Sequence, residues 1–368
     1  MISVTRESTG KQRLHGFPLW LSTPRKAPSS PRIGTQEQSS TNISGAFWLL
    51  SLFPSSPLIT VPQATELLFD ARNDILGGCL RCSCVLPKAV DIRESMEYGS
   101  IVVFGASYCD NAHPRDNRFS SSLRQPPYYQ GRWSNGPVWV EHIAQVMGVP
   151  LYNYAYGGAT SNNAHFNAGV PDTWAQIQDY KHDIKSGKIH RSNGKVLHLM
   201  WVGINSIHQI WRSGEGVEKA VQEADEVKRQ FSYLLADRTI NRSPSEFHAL
   251  TLPPLEIVPN DAYAALGPPG IKVLTDAYNN HLISAIQGLN SPLAGVHDIG
   301  RFWYRVHHAP TSVRFGFSYE KSPCISSYGP CKNPEEYIYF DSLHPTTRMH
   351  ALIGDWVLAS LPGVSAKR

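Results

Sequence analysis

Three side chains, far apart in the chain, have the types needed to activate a hydroxyl group. The stretch Asp341-Ser342-Leu343-His344-Pro345-Thr346 puts a carboxylate three residues before an imidazole. The stretch Phe104-Gly105-Ala106-Ser107 puts a serine just past the apolar run 101–104. A serine, a histidine and an acid are a nucleophile, its base and the group that orients the base. Residues at i and i+3 can face each other across one turn, so Asp341 can bond His344 Nδ1. Nε2 is then free to take the hydroxyl proton. The aromatic run Tyr337-Ile338-Tyr339-Phe340 would hold Asp341 on a rigid element. Taken alone, Gly-x-Ser more often caps a helix, and an acid just before Pro345 can do the same. Taken together, the three point to ester hydrolysis.

An ester carbonyl also needs donors for the oxygen that becomes charged. Tyr154-Ala155-Tyr156-Gly157-Gly158-Ala159-Thr160 follows a strand-like run and carries paired glycines, which let backbone N–H groups approach a ligand closely. Trp201-Val202-Gly203-Ile204-Asn205-Ser206 follows another such run and carries an amide side chain. Backbone N–H groups plus an asparagine amide make an oxyanion hole, with each donor worth about 3–4 kcal/mol of rate. Each glycine turn by itself is more simply a turn. Four blocks in order, most of them at a strand end, are harder to explain that way.

These blocks need elements to hold them. Runs 100–105, 151–156, 196–202, 247–252 and 295–299 read as strands. Segments 137–147, 174–185, 216–237, 271–289 and 346–361 read as helices, the fourth with an apolar stripe at 271, 274, 278, 282 and 285. Strand and helix taking turns predict a three-layer α/β/α fold, flavodoxin-like, around a central and mainly parallel sheet. Reactive groups gather at the carboxyl ends of such strands. Residues 1–95 differ: they are rich in Ser, Pro, Thr and Arg and show little periodicity, so loose structure or a mis-assigned exon is the expectation. The domain proper is expected over 96–368, starting near Met96.

Composition narrows the function classes. The chain has 368 residues, 41% hydrophobic and 17% charged, which allows a packed core. A formal net charge of +4, scattered along the chain, argues for neither nucleic acid nor an anionic membrane as partner. The apolar stretch 46–61 is interrupted by Pro54 and Pro57 and is too short to span a bilayer. Six cysteines are present. Cys324 and Cys331 flank a Ser-Ser-Tyr-Gly turn, where a short disulfide loop is easy, whereas Cys79, Cys82 and Cys84 stay undecided. No histidine pattern marks a metal site, and the chemistry needs no cofactor. A Cys324–Cys331 bond would favour an oxidising compartment, so secretion is expected, with a cytoplasmic location as the alternative. Residues 1–9 form no signal peptide. Asn42-Ile43-Ser44 and Asn241-Arg242-Ser243 fit the glycosylation sequon and decide little.

From about Ser100 to Leu361 the chain resembles the SGNH, or GDSL-like, hydrolase superfamily. It looks most like the fungal branch of secreted lipases and carbohydrate acetylesterases (carbohydrate esterase family sixteen). The first block, Phe104 to Asp110, implies Ser107 as nucleophile and as a backbone donor. The second, Asn153 to Thr160, implies Gly158 as the second backbone donor. The third, Gly203-Ile204-Asn205, implies Asn205 as the side-chain donor. The last implies Asp341 as acid and His344 as base. Arg132 to Glu141 and Cys331 to Tyr337 also resemble this branch. Two positions depart from the family: Ala106 and Ser206 stand where aspartate is usual, and neither is a proton-transfer group. The resemblance implies a small-molecule or oligosaccharide ester as substrate, short acetyl esters of carbohydrates above all. A lipase or lysophospholipase, or a non-catalytic glycan- or lipid-binding relative, are the alternatives. Trp133, Trp139 and Trp201 are candidates to line a sugar site, although core packing is commoner for such residues.

Overall fold

A computed structural model describes residues 98–362, except 192–193, 261–262 and 264–269. The segment 1–95, the Cys79, Cys82 and Cys84 cluster, the sequon at Asn42 and the start near Met96 lie outside the described residues.

Among the described residues five parallel strands form the central sheet, in the order β2-β1-β3-β4-β5. They are β1 (Tyr98–Gly105), β2 (Leu151–Asn153), β3 (Lys195–Trp201), β4 (Ser245–Leu250) and β5 (Ala294–His297). The apolar runs at 101–104 and 196–202 form strands because both faces of a parallel sheet are covered. Ile101, Val102, Val103 and Phe104 are all fully buried. The helices between them are α1 (Trp139–Met147), α2 (Thr173–Ser186), α3 (Ile204–Ser213), α4 (Val217–Ala236) and α5 (Ile271–Gln287). After β5 come α6 (Ile299–His307) and α7 (Ala309–Arg314), then α8 (Thr347–Ser360). The apolar stripe of α5 is buried throughout, from Ile271 to Ala285, and packs on α4. In the same way α8 packs on α1. The result is the three-layer α/β/α fold.

Strand order decides where a site can form. The chain leaves β1 towards β2 on one side and leaves β3 towards β4 on the other. Right-handed crossovers then send the connections to opposite faces, and a crevice opens between the carboxyl ends of β1 and β3.

Several element boundaries differ from the sequence reading. The second strand stops at Asn153, not Tyr156, because the Asn153 side chain turns inward. Its Nδ2 donates to Cys109 O at 2.7 Å and its Oδ1 accepts from Ala155 N at 2.9 Å. The first helix starts at Trp139, with Pro137 outside it. Helix α3 falls in a segment to which the sequence reading assigned no helix. Small accessory sheets, β6 (Tyr319–Pro323) with β9 (Tyr337–Tyr339) and β7 (Ile325–Ser326) with β8 (Gly329–Pro330), were not expected. Cys324 and Cys331 form a disulfide between them.

Candidate active site

The serine is presented by a turn that only glycine can enter. Gly105 ends β1 with φ +152°, and a Cβ there would lie 2.4 Å from Trp201 O. A buried amide from α2 clamps this residue on both sides. Gly105 N donates to Gln176 Oε1 at 2.8 Å, and Gln176 Nε2 donates to Gly105 O at 3.0 Å. Ala106 O then accepts from Cys109 N and Asp110 N, closing the turn beneath Ser107. The Ala106 side chain packs with Tyr156, Ala159 and Val170. An aspartate at 106 would meet an apolar pocket, so the turn here is held by main chain and Gln176 instead.

The base comes from the far end of the chain. His344 Nε2 lies 2.9 Å from Ser107 Oγ. Its Nδ1 lies 2.9 and 2.8 Å from the two Asp341 oxygens. Asp341 Oδ1 also accepts from the backbone N–H groups of Leu343 and His344, at 2.8 and 2.7 Å. Burial alone would raise the Asp341 pKa, but the charge on His344 and the hydrogen bonds from His344 and Leu343 hold it below the usual carboxylate range. The carboxylate therefore stays ionised and fixes the imidazole tautomer, with the proton on Nδ1 and a lone pair on Nε2 facing the serine.

Two aromatic side chains complete the acid and base, and neither was singled out for this role by the sequence. Tyr128 donates its hydroxyl to Asp341 Oδ2 at 2.7 Å. The Trp133 ring lies 4.7 Å from the His344 ring, and its Nε1 donates to Ser122 O at 3.1 Å. The Arg124 guanidinium sits 4.5 Å from both the Tyr128 and Trp133 rings. Tyr128 is 213 positions from Asp341, so no local spacing could reveal the bond. Tyr128→Phe removes one of several donors to a charged acceptor, worth about 1.5–3 kcal/mol at most. We expect kcat to fall roughly threefold to tenfold with KM unchanged, and steady-state kinetics on p-nitrophenyl acetate will check it. Of the other two tryptophans considered for a sugar site, Trp139 and Trp201 are core residues, 0% and 2% exposed.

The glycine turn and the amide lie beside the serine turn, joined to it by a buried ion pair. Asp110 Oδ1 and Oδ2 accept from Arg115 at 2.6 and 3.0 Å, and Oδ2 also accepts from Gly157 N at 2.8 Å. Gly157 has no room for a side chain, since a Cβ there would lie 2.1 Å from Trp133 Nε1. Gly158 adopts φ +90°. Asn205 sits in the first turn of α3, and its Nδ2 donates one hydrogen to Ala159 O at 2.8 Å. That bond ties the amide to the glycine turn and leaves its second hydrogen available. Gly203, with φ +123°, makes the preceding bend because the Tyr278 ring occupies the space of a Cβ.

Cys109, two residues from Ser107, is buried and forms no disulfide. Burial pushes its thiol well up, so it is no competing nucleophile. Asn241 of the second sequon uses its amide to cap α4, donating to Leu234 O at 2.6 Å and to Leu235 O at 3.1 Å. Among the described residues no group of three or more His, Cys, Asp or Glu side chains is placed to hold a metal ion. No helix among them is long and apolar enough to cross a membrane.

Comparison with known proteins bears on the family of the chain. Over 293 residues the chain is 25% identical to the thermolabile hemolysin of Vibrio parahaemolyticus, covering 72% of this chain and 64% of that protein. Over 329 residues it is 31% identical to a GDSL esterase/lipase of Arabidopsis thaliana, covering 71% and 88%. Over 128 residues it is 27% identical to an acetylesterase of Hypocrea jecorina, covering 30% and 36%. The chain thus spans under two thirds of the hemolysin and about a third of the acetylesterase. The family model described as GDSL-like Lipase/Acylhydrolase matches residues 101–357. With the matched stretch running from β1 into α8, the chain belongs to the GDSL-like lipase/acylhydrolase family.

Proposed function

We propose that the chain is a serine esterase that cleaves carboxylic esters through an acyl-enzyme. The observation that carries this reading is the 2.9 Å approach of His344 Nε2 to Ser107 Oγ, with Nδ1 bound to Asp341. Ser107 Oγ attacks the ester carbonyl while His344 takes its proton. The C=O electron pair moves to oxygen, which is held by Ser107 N–H, Gly158 N–H and the free hydrogen of the Asn205 amide. The pair returns, the C–O bond to the alcohol breaks, and His344 gives the proton to the leaving oxygen. Water, deprotonated by His344, then releases the acid and restores Ser107.

The donors can be tested apart from the nucleophile. Asn205→Ala is expected to lower kcat by about 10²-fold or more with a much smaller effect on KM, as removal of an oxyanion donor does. A kcat within a few-fold of the parent would remove Asn205 from the reaction. Labelling by a fluorophosphonate separates an enzyme from a non-catalytic binding relative, since only an activated serine reacts.

Short acetyl esters of carbohydrates are the substrate class we favour. Similarity to an acetylesterase supports this, as does Trp133, an aromatic face beside His344 on which a sugar ring can stack. A cavity of about 410 Å³ opens beside Tyr128, with apolar lining from Leu123 and Pro126 as well as polar lining from Arg124 and Gln125. Long-chain hydrolysis is the second reading, because the family description includes lipases. An acyl-chain series decides between them. We expect kcat/KM to drop at least tenfold (about 1.4 kcal/mol in barrier) from acetate to octanoate; a flat or rising series favours the lipase. The Cys324–Cys331 disulfide supports secretion into an oxidising compartment.

A further inference from the structure

The proposed reaction leaves one buried acid without a task. Glu223 lies on α4, is 1% exposed, and sits behind both turns that carry the oxyanion donors. On one side its Oε2 accepts from Ser161 Oγ at 2.7 Å. Ser161 continues the glycine turn and is fully buried. Its carbonyl is pinned in turn by Thr173 Oγ1 at 3.1 Å and Gln230 Nε2 at 2.8 Å. On the other side the carboxyl faces Ser206, which is also fully buried and follows Asn205 directly. Ser206 Oγ and Glu223 Oε1 each lack a hydrogen-bond partner among the described residues. A buried donor and a buried acceptor in this position are costly unless they meet.

The groups around the carboxyl are few. Glu226, on the same helix, is occupied by Arg229 and Trp174. Tyr278, from α5, fills the space beside Gly203 and donates to Val202 O at 2.8 Å. Burial raises the Glu223 pKa to about 7; the Ser206 and Ser161 hydroxyls pull it down and the Glu226 charge pushes it up.

We propose that Glu223 is a positioning residue for the oxyanion hole. Its carboxyl group ties the glycine turn, through Ser161, to the start of α3, through Ser206, and so sets the spacing between Gly158 N–H and the Asn205 amide. The inference rests on the assignment of Gly158 and Asn205 as oxyanion donors. When neutral, the carboxyl accepts from Ser161 and donates to Ser206, closing both bonds. When ionised, it places negative charge behind donors that must hold an oxyanion, and weakens them.

The test is kinetic: kcat and KM on p-nitrophenyl acetate for the full chain and its variants, from about pH 5 to about pH 9. Glu223→Leu breaks the tether and is expected to lower kcat about tenfold with KM within about twofold. Glu223→Gln keeps both bonds and stays neutral. It is expected to match the parent below about pH 6 and exceed it several-fold above about pH 8, where only the parent ionises. The ratio of the two cancels any pH dependence that both share. A flat ratio, or a Leu variant with unchanged kcat or a loss confined to KM, overturns the proposal. Should the Leu variant not fold, Ser206→Ala cuts the tether on the Asn205 side, and an unchanged kcat there overturns it equally. Asn205→Ala serves as the control. If it too keeps full kcat, the oxyanion-hole assignment has failed; if it is impaired while the Glu223 and Ser206 variants are not, only the tether has failed.

Discussion

Ser107→Ala is expected to reduce turnover of p-nitrophenyl acetate by about 10⁴-fold or more while leaving the melting transition in place. The substitution removes one oxygen from a side chain that is 7% exposed, so little packing is lost. The Gly105–Gln176 clamp and the Ala106 carbonyl bonds, which shape the turn, do not involve that oxygen. What goes is the atom that His344 deprotonates. The remaining donors can still polarise a carbonyl towards attack by water, which sets a low residual rate. Loss of fluorophosphonate labelling should accompany the loss of turnover. A variant retaining a tenth or more of the parent rate would mean a different nucleophile.

Asp341→Asn should cost nearly as much, about 10³- to 10⁴-fold in kcat, although it is nearly isosteric. The reason is the proton on the imidazole. A carboxylate at 341 accepts from Nδ1 and leaves Nε2 bare. An amide there can donate to Nδ1, which drives the proton to Nε2 and points N–H at the Ser107 hydroxyl. The serine then has no base. The imidazolium that forms during attack also loses its counter-charge. Because Asp341 is held below the ordinary carboxylate range, mildly acid conditions should leave its carboxylate ionised. A decline of kcat/KM in mildly acid solution is therefore expected to arise at a group other than Asp341, and a titration of rate against pH will check it. Asp341→Asn with near-parental kcat would show that the tautomer is fixed by something else.

The sequence showed more of the site than of its surroundings. β1 and β3 were legible because strands buried on both faces must be nearly all apolar, and runs 101–104 and 196–202 satisfy that. Ser107, Asp341 and His344 could be named because their chemistry is rare and two of them are three residues apart. Helix α3 was not legible. Its first turn follows Gly203 and carries Asn205 and Ser206, polar residues that were read only for their chemistry. What makes it a helix is the burial of Ile204, Ile207 and Ile210, a spacing too short to stand out. Tyr128, Trp133 and Arg115 reach their partners through tertiary folding, and nothing local announces them. Ala106 stood out in the sequence as a departure from the family, where aspartate is usual. In place, it belongs to a small apolar cluster that suits a methyl group.

The hydroxyl and its base are separated by 237 positions along the chain. During synthesis on the ribosome the nucleophile emerges early, with its glycine turn and amide close behind, but no imidazole is there to use it. A nascent chain halted between residues 297 and 341 would carry all five strands of the central sheet and yet lack both the acid and the base. Catalytic competence should switch on late and abruptly, once the strand and helix on either side of His344 have docked.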